Sequence, residues 1–302
     1  MEEKLLRSQL GIELGNSVTV AKLCKSFLES NRAVHSAATA SDYRYTVNAH
    51  IIPILGMLRT DEVTQVHLND FIQTMSGKMG KATVNKTIRY LRSILRWGKR
   101  NGNLITDLEF RFLRCAESKK RYLELNEIEE VLKHAGDYRL LILTAIHTGM
   151  RSGEIFNLHW EDIDFSERII HIINRDDFHT KSYKIRIVPM TETLTEELSH
   201  VSGGSQKGLV FPKPDGTRRV NIRGAIEGIV RKSGVKFTLH DLRRTFASHV
   251  SFNGRDLGGV QKLLGHSSIN TTMGYVNHSI DRLRGLVSSI DSIGAKHDEE
   301  VQ

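Results

Sequence analysis

Six side chains in the C-terminal half carry the groups that phosphoryl transfer needs. They are two guanidiniums (Arg151, Arg243), two imidazoles (His240, His266), one ammonium (Lys181) and one phenol (Tyr275). Guanidinium forks match phosphate oxygens in pairs and can stabilise the added negative charge of a five-coordinate phosphoryl transition state. A phenol becomes a covalent nucleophile when a base or cationic surroundings favour the phenolate. An ammonium can give a proton to a leaving alkoxide. The sequence shows no metal-ligand cluster among these residues, so a reaction without cofactors is expected.

Each segment also has a plainer reading. In Thr148-Gly149-Met150-Arg151-Ser152-Gly153-Glu154 an arginine follows a glycine turn and has an acid three residues on. If a helix starts there, Arg151 and Glu154 meet on one face, and a surface ion pair is the simplest account. Lys181, in His179-Thr180-Lys181-Ser182, is an ordinary exposed lysine if the turn stands alone. His240 and Arg243 lie three apart and project together on a helix, which a capping histidine and an exposed arginine would also satisfy. Tyr275, after Leu264-Gly265-His266 and Thr271-Thr272-Met273-Gly274, is a common aromatic by itself. The combination on one basic chain is what argues for chemistry.

The elements that must position these groups are mainly helical. Leu140 to Ile146 is a continuous apolar run and predicts a buried helix ahead of Arg151. Ile163-Asp164-Phe165 leads into the strand-like Arg168 to Ile173, and Lys184-Ile185-Arg186-Ile187-Val188 alternates as a second strand, so Lys181 falls in the turn between them. Leu125 to Glu130 reads as a helix entry with Asn126 as its cap. In the N-terminal half, Thr19 to Cys24, Ser41-Asp42-Tyr43 and Thr64 to His67 read as helix starts. Ile51 to Gly56, containing Pro53, reads as a helix end and a turn.

One N-terminal helix is distinctive. From Ala82 to Arg100, Val84, Ile88, Leu91, Ile94 and Leu95 share one face at helical spacing. Lys86, Arg89, Arg92, Arg96, Lys99 and Arg100 share the other, with Lys78 and Lys81 just before and no acid from Lys78 to Arg100. Solvated faces usually mix signs, so a purely basic one reads as a DNA phosphate contact. The net charge of +8 and pI of about 9.4 point the same way. There is no apolar run of bilayer length and no signal-peptide pattern. Two distant cysteines, Cys24 and Cys115, suggest neither a disulfide framework nor a zinc site.

The run TGMRSGEIFNLHWEDID, the hairpin lysine, HDLRRTFASH and LGHSSINTTMGY together resemble the tyrosine recombinase, or phage integrase, family, over residues from about 18 to 290. The resemblance implies an α+β fold, mainly α with a small antiparallel sheet. The expected division is a flexible leader at 1–16, a helical core-site-binding domain at 17–105 and a linker at 106–120. A catalytic domain with a tail helix follows at 121–292, then a disordered tail at 293–302.

The resemblance makes Arg151 and Arg243 the phosphate clamps, Tyr275 the nucleophile and Lys181 the acid for the leaving oxygen. His240 assists proton transfer with the tyrosine, His266 hydrogen-bonds the phosphate, and Glu154 orients Arg151. Lys184 is the alternative acid if the hairpin register differs by three residues. Gly274 departs from the larger residue usual before the tyrosine. The implied partners are double-stranded DNA at specific sites and a homotetramer on paired sites, without a membrane and within the cytoplasm. Two other functions stay open: type IB topoisomerase-like relaxation of DNA, and a catalytically silent DNA-binding protein. In the tail, Ser279 can cap a helix whose Ile280, Leu283, Leu286, Val287 and Ile290 form an apolar stripe. It packs either on its own domain or on a neighbouring subunit.

Overall fold

The computed structural model of the chain describes residues 17–103, 105–116, 121–175, 178–179, 185–203, 207–254 and 257–265. Lys181, Lys184, His266, Tyr275, the leader before Ser17 and the tail from Ser279 lie outside them. Among the described residues no helix is long and apolar enough to cross a membrane. The chain divides into two compact units between Glu117 and Ser118.

The first unit is helical. Helix α1 (Val20–Ser30) starts at Thr19, whose hydroxyl accepts the Lys22 N–H at 3.2 Å. Helix α2 (Ala37–Thr46) starts at Ser36, where a side-chain cap forms to Thr39 N, and not at Ser41 as the sequence suggested. Both serines are cap-forming residues, and only the backbone path decides which one is used. A π-helical stretch at Val47–Ile51 runs on into α3 (Ile52–Leu55). Pro53 is accommodated in the first turn of α3, and the helix ends at Leu55 with a turn from Gly56, as expected. Helix α4 (Gln65–Ser76) starts at Thr64, as expected.

Helix α5 (Lys81–Arg100) buries the apolar face read from its spacing: Val84, Ile88, Leu91, Ile94 and Leu95 are all inside the core of this unit. Residues after it pack back onto that core through Ile105, Leu108, Phe110 and Leu113. Two side-chain amides hold this returning backbone. Gln65 donates to Glu109 O at 3.1 Å and accepts from Glu109 N at 2.9 Å. Asn85 does the same at Leu113, at 2.9 and 2.8 Å. An amide carries both a donor and an acceptor, so it pairs with a peptide as a neighbouring strand would.

The second unit surrounds a three-stranded antiparallel sheet, order β1-β2-β3: β1 (Ile163–Asp164), β2 (Ile169–Ile172) and β3 (Arg186–Pro189). Ile170 pairs with Val188 and both point into the core, while Ile187 on β3 is half-exposed. Alternation along the strands separates the two faces. Helix α6 (Leu125–Lys133) starts at Glu124, two residues before the expected Asn126, because the Glu127 carboxylate accepts the Glu124 N–H at 3.1 Å. Helix α7 (Arg139–Thr148) is the buried apolar helix the sequence predicts. Then come α8 (Ser152–Phe156), α9 (Glu192–Ser202), α10 (Arg223–Ser233), α11 (Leu239–Gly254) and α12 (Leu257–Leu264). Helices α7 and α11 pack together and bring the two arginine motifs, far apart in sequence, to one place.

Candidate active site

Arg151 is placed by a sharp turn. Helix α7 ends at Gly149 in the left-handed region, φ +61°. A Cβ there would lie 2.4 Å from Phe246 Cδ1, so the position needs glycine for both conformation and space. The chain reverses into α8, and Arg151 stands at its start. Its backbone N–H donates to Glu154 Oε2 at 2.7 Å and its Nη1 to Glu154 Oε1 at 3.0 Å. Its Nη2 donates to Gly265 O at 3.3 Å. The Arg151–Glu154 pair expected from the three-residue spacing is therefore present, and it is not a surface pair: the Glu154 side chain is 1% exposed.

Arg243 comes from the middle of α11. Among the described residues it is the largest fully buried side chain, 1% exposed, where the simplest sequence reading placed an exposed arginine. Its Nη1 donates to Gly149 O and its Nη2 to Leu264 O, each at 2.6 Å. The two turns at Gly149 and Gly265 thus hold both guanidiniums by backbone carbonyls. Among the described residues these contacts join α7, α11 and α12 into one site.

His240 sits in the first turn of α11. Thr238 begins that helix: its hydroxyl donates to Asp241 Oδ2 at 2.7 Å and accepts the Asp241 N–H at 3.3 Å, while its N–H reaches the same Oδ2 at 3.0 Å. This capping arrangement fixes the turn that carries His240. Burial disfavours the imidazolium, and the charges of Arg244, Arg243 and Arg151 add to that, so the His240 pKa lies below its ordinary value. A helix N-terminus acts in the same direction.

Arg186 on β3 is a site residue that sequence reading missed. It reads there as one polar step in an alternating strand, and nothing local tells it from a surface arginine. In the fold its side chain is 8% exposed and grips Glu154 with both terminal nitrogens, at 2.9 and 2.7 Å. Its Nε donates to Leu263 O at 2.8 Å. Burial pushes the Glu154 carboxyl up. The hydrogen bond and charge of Arg186, then those of Arg151, outweigh it and hold the pKa below the usual carboxylate range.

The basic face of α5 belongs to the first unit. Lys78, Lys81, Arg89, Arg96, Lys99 and Arg100 are exposed, and Lys86 and Arg92 are half-exposed. Two of these cations have acids that the linear reading could not place. Lys86 Nζ lies 2.6 Å from Asp42 of α2, which also accepts a 2.7 Å hydrogen bond from the Tyr90 hydroxyl. Lys99 Nζ lies 2.5 Å from Asp107 of the returning segment.

The phage integrase family model matches residues 119–282. The tyrosine recombinase XerD of Listeria innocua is 30% identical over 244 residues, which covers 72% of this chain and 80% of that protein. The tyrosine recombinase XerC of Bacillus subtilis is 29% identical over 236 residues, covering 70% and 75%. Among solved structures, the Tn1549 transposon integrase in complex with a circular intermediate DNA shares the fold. It does so at a TM-score of 0.77 and 20% identity, over 90% of this chain and 99% of that one. With the arginine-bearing turns and the sheet in place, the match over more than half the length is decisive: this chain belongs to the phage integrase family of tyrosine recombinases.

Proposed function

We propose that the protein cuts and rejoins DNA at specific sites through a covalent 3′-phosphotyrosyl link to Tyr275. The observation that carries this reading is the convergence of Arg151 and Arg243 on the turns at Gly149 and Gly265, with His240 near enough to feel the charge of both. Two fixed guanidiniums beside a neutral imidazole suit a phosphate that gains charge as it is attacked.

In the proposed reaction the Tyr275 phenolic oxygen attacks phosphorus, and its proton passes towards His240. The bond from phosphorus to the 5′-oxygen breaks, and that oxygen takes a proton from Lys181. Arg151, Arg243 and His266 hold the non-bridging oxygens, and Glu154 keeps Arg151 in place. The 5′-hydroxyl of a partner duplex then attacks the phosphotyrosine and frees the phenol. One phosphodiester is exchanged for another, so no external energy source enters the balance. The basic face of α5 binds the duplex backbone at the core site, and four copies act on two paired sites. The relative XerD is named a tyrosine recombinase, which supports strand exchange over simple relaxation of one duplex. The proposed setting is the cytoplasm, where the DNA is.

The test is covalent trapping. DNA attached to the full chain in cells is recovered under denaturing conditions and sequenced. One recurrent sequence is expected, with none from Tyr275→Phe, which still binds that duplex at near-normal affinity. An adduct that persists in Tyr275→Phe on another residue overturns the assignment.

A further inference from the structure

We infer that Arg186 is a positioning residue for strand cleavage: it shares Glu154 with Arg151, so Arg151 keeps positive charge for the phosphate, and it ties β3 to the turn before His266. The inference rests on the cleavage function proposed above. Its basis is the geometry of one buried carboxylate between two cations. Arg186 meets Glu154 with two donors, at 2.9 and 2.7 Å, whereas the Arg151 guanidinium uses one, at 3.0 Å. Both the Glu154 and Arg186 side chains are almost fully buried, at 1% and 8% exposure, while that of Arg151 is 25% exposed.

A buried carboxylate facing a single cation would draw it into a closed pair, because little solvent screens their attraction. Arg151 would then be neutralised by Glu154 and would compete poorly for a phosphate. With Arg186 present the three charges sum to one net positive, and the least buried member of the trio is Arg151. All three Arg186 nitrogens are engaged by Glu154 and Leu263 O, so Arg186 acts through these partners.

The second contact of Arg186 links segments. Its Nε holds Leu263 O at 2.8 Å, and the next turn carries Gly265, whose carbonyl accepts from Arg151. Gly265 has φ +63°, and a Cβ there would stand 3.1 Å from Arg186 Cδ. The Arg186 side chain therefore passes directly against that turn. In sequence Arg186 follows Lys181 by five residues and Leu263 precedes His266 by three, so one guanidinium couples the strand after the lysine turn to the histidine segment.

The test uses the full-length protein and a duplex of the sequence recovered by covalent trapping, nicked so that cleavage is irreversible. Arg186→Met is expected to bind this duplex within about threefold of the unmutated affinity and to cleave it at least about tenfold more slowly in single turnovers. Adding Glu154→Gln to Arg186→Met removes the uncompensated carboxylate, and most of the cleavage rate is expected to return. Arg186→Lys keeps the charge and is expected to cleave faster than Arg186→Met. A merely structural arginine predicts that loss and rescue follow folding stability, read by thermal unfolding, with cleavage per folded molecule unchanged across the variants. The inference is overturned if Arg186→Met cleaves at the unmutated rate, or if Glu154→Gln gives it no rescue. If Arg186→Met does not fold, Arg186→Lys and the double variant decide: unmutated-like folding without cleavage in both overturns the idea. Failure of the unmutated chain to form any adduct counts against the cleavage function and not against this role.

Discussion

At the residue scale the harder half of the proposed cleavage is the departure of the 5′-oxygen. An alkoxide leaves poorly, so losing the acid slows cleavage by roughly 10²–10⁴-fold. A thiolate leaves without that proton. On a substrate with sulfur in the bridging 5′ position, Lys181→Ala is expected to cleave almost as fast as the unmutated chain. Arg151→Ala and Arg243→Ala are not rescued, because their charge acts on the non-bridging oxygens. Rescue of Lys184→Ala in place of Lys181→Ala would move the acid to Lys184.

His240 sets a pH dependence. Its pKa is lowered, first by burial and then by the neighbouring arginines, so the imidazole stays neutral into more acid solution than an ordinary histidine. As the base, it works in the neutral form, and the rate falls only when the proton binds. The acid limb of single-turnover cleavage is therefore expected below the ordinary histidine value of about 6.5. His240→Gln should lose that limb. A limb at the ordinary value, or one unchanged in His240→Gln, removes His240 from proton transfer. The same depression bears on stability. The unfolded chain binds this proton first, so the stability His240 contributes is present above the unfolded pKa and is lost as pH falls through the folded one.

At the element scale the basic face of α5 divides by its partners. Arg89, Arg96 and Arg100 are exposed. Lys86 is half-exposed and shares its charge with Asp42. Phosphate contacts release counterions, so each lost contact lowers the slope of log affinity on log salt by up to about one unit. Neutralising Arg89 and Arg96 together is expected to weaken binding and flatten that slope, while Lys86→Ala moves it less. An unchanged slope in the double variant would return this face to the role of solvated surface. Structurally, α5 is also bound to the returning segment at 105–116 through Asn85, so substitutions at Asn85 act on that segment and not on DNA directly.

At the scale of the whole molecule, the proposed reaction needs several copies to act together. The tail from Ser279 lies outside the described residues, and its apolar stripe has two candidate resting places, its own domain or a neighbouring subunit. We propose the neighbour, in a cyclic array of identical contacts. Deleting the chain from Ser279 onward is then expected to spare binding to a single site and to abolish synapsis, read by native gel shift with one site and with two. Normal recombination by the truncated chain would place the tail on its own domain.

Much of this protein was legible in its sequence because the signals are local. Helical spacing set the buried face of α5, an unbroken apolar run marked α7, alternation marked the strands, and the order of four motifs pointed to the family. Glu154 was readable too, because its partner lies one helical turn away. Helix starts were less legible: Ser36 and Glu124 replaced Ser41 and Asn126, since several residues in each stretch can cap and the chain path selects one. Arg186 was invisible, because its partners, Glu154 and Leu263, are 32 and 77 residues away in sequence. The depth of Arg243 was equally hidden, as its carbonyl partners come from two turns that meet only when α7, α11 and α12 pack. The acids that temper the basic helix, Asp42 and Asp107, likewise arrive from other segments. Residue type and short-range spacing determined which groups this chain owns. Charge pairing and burial depend on contacts between distant segments, and only the tertiary structure decided those.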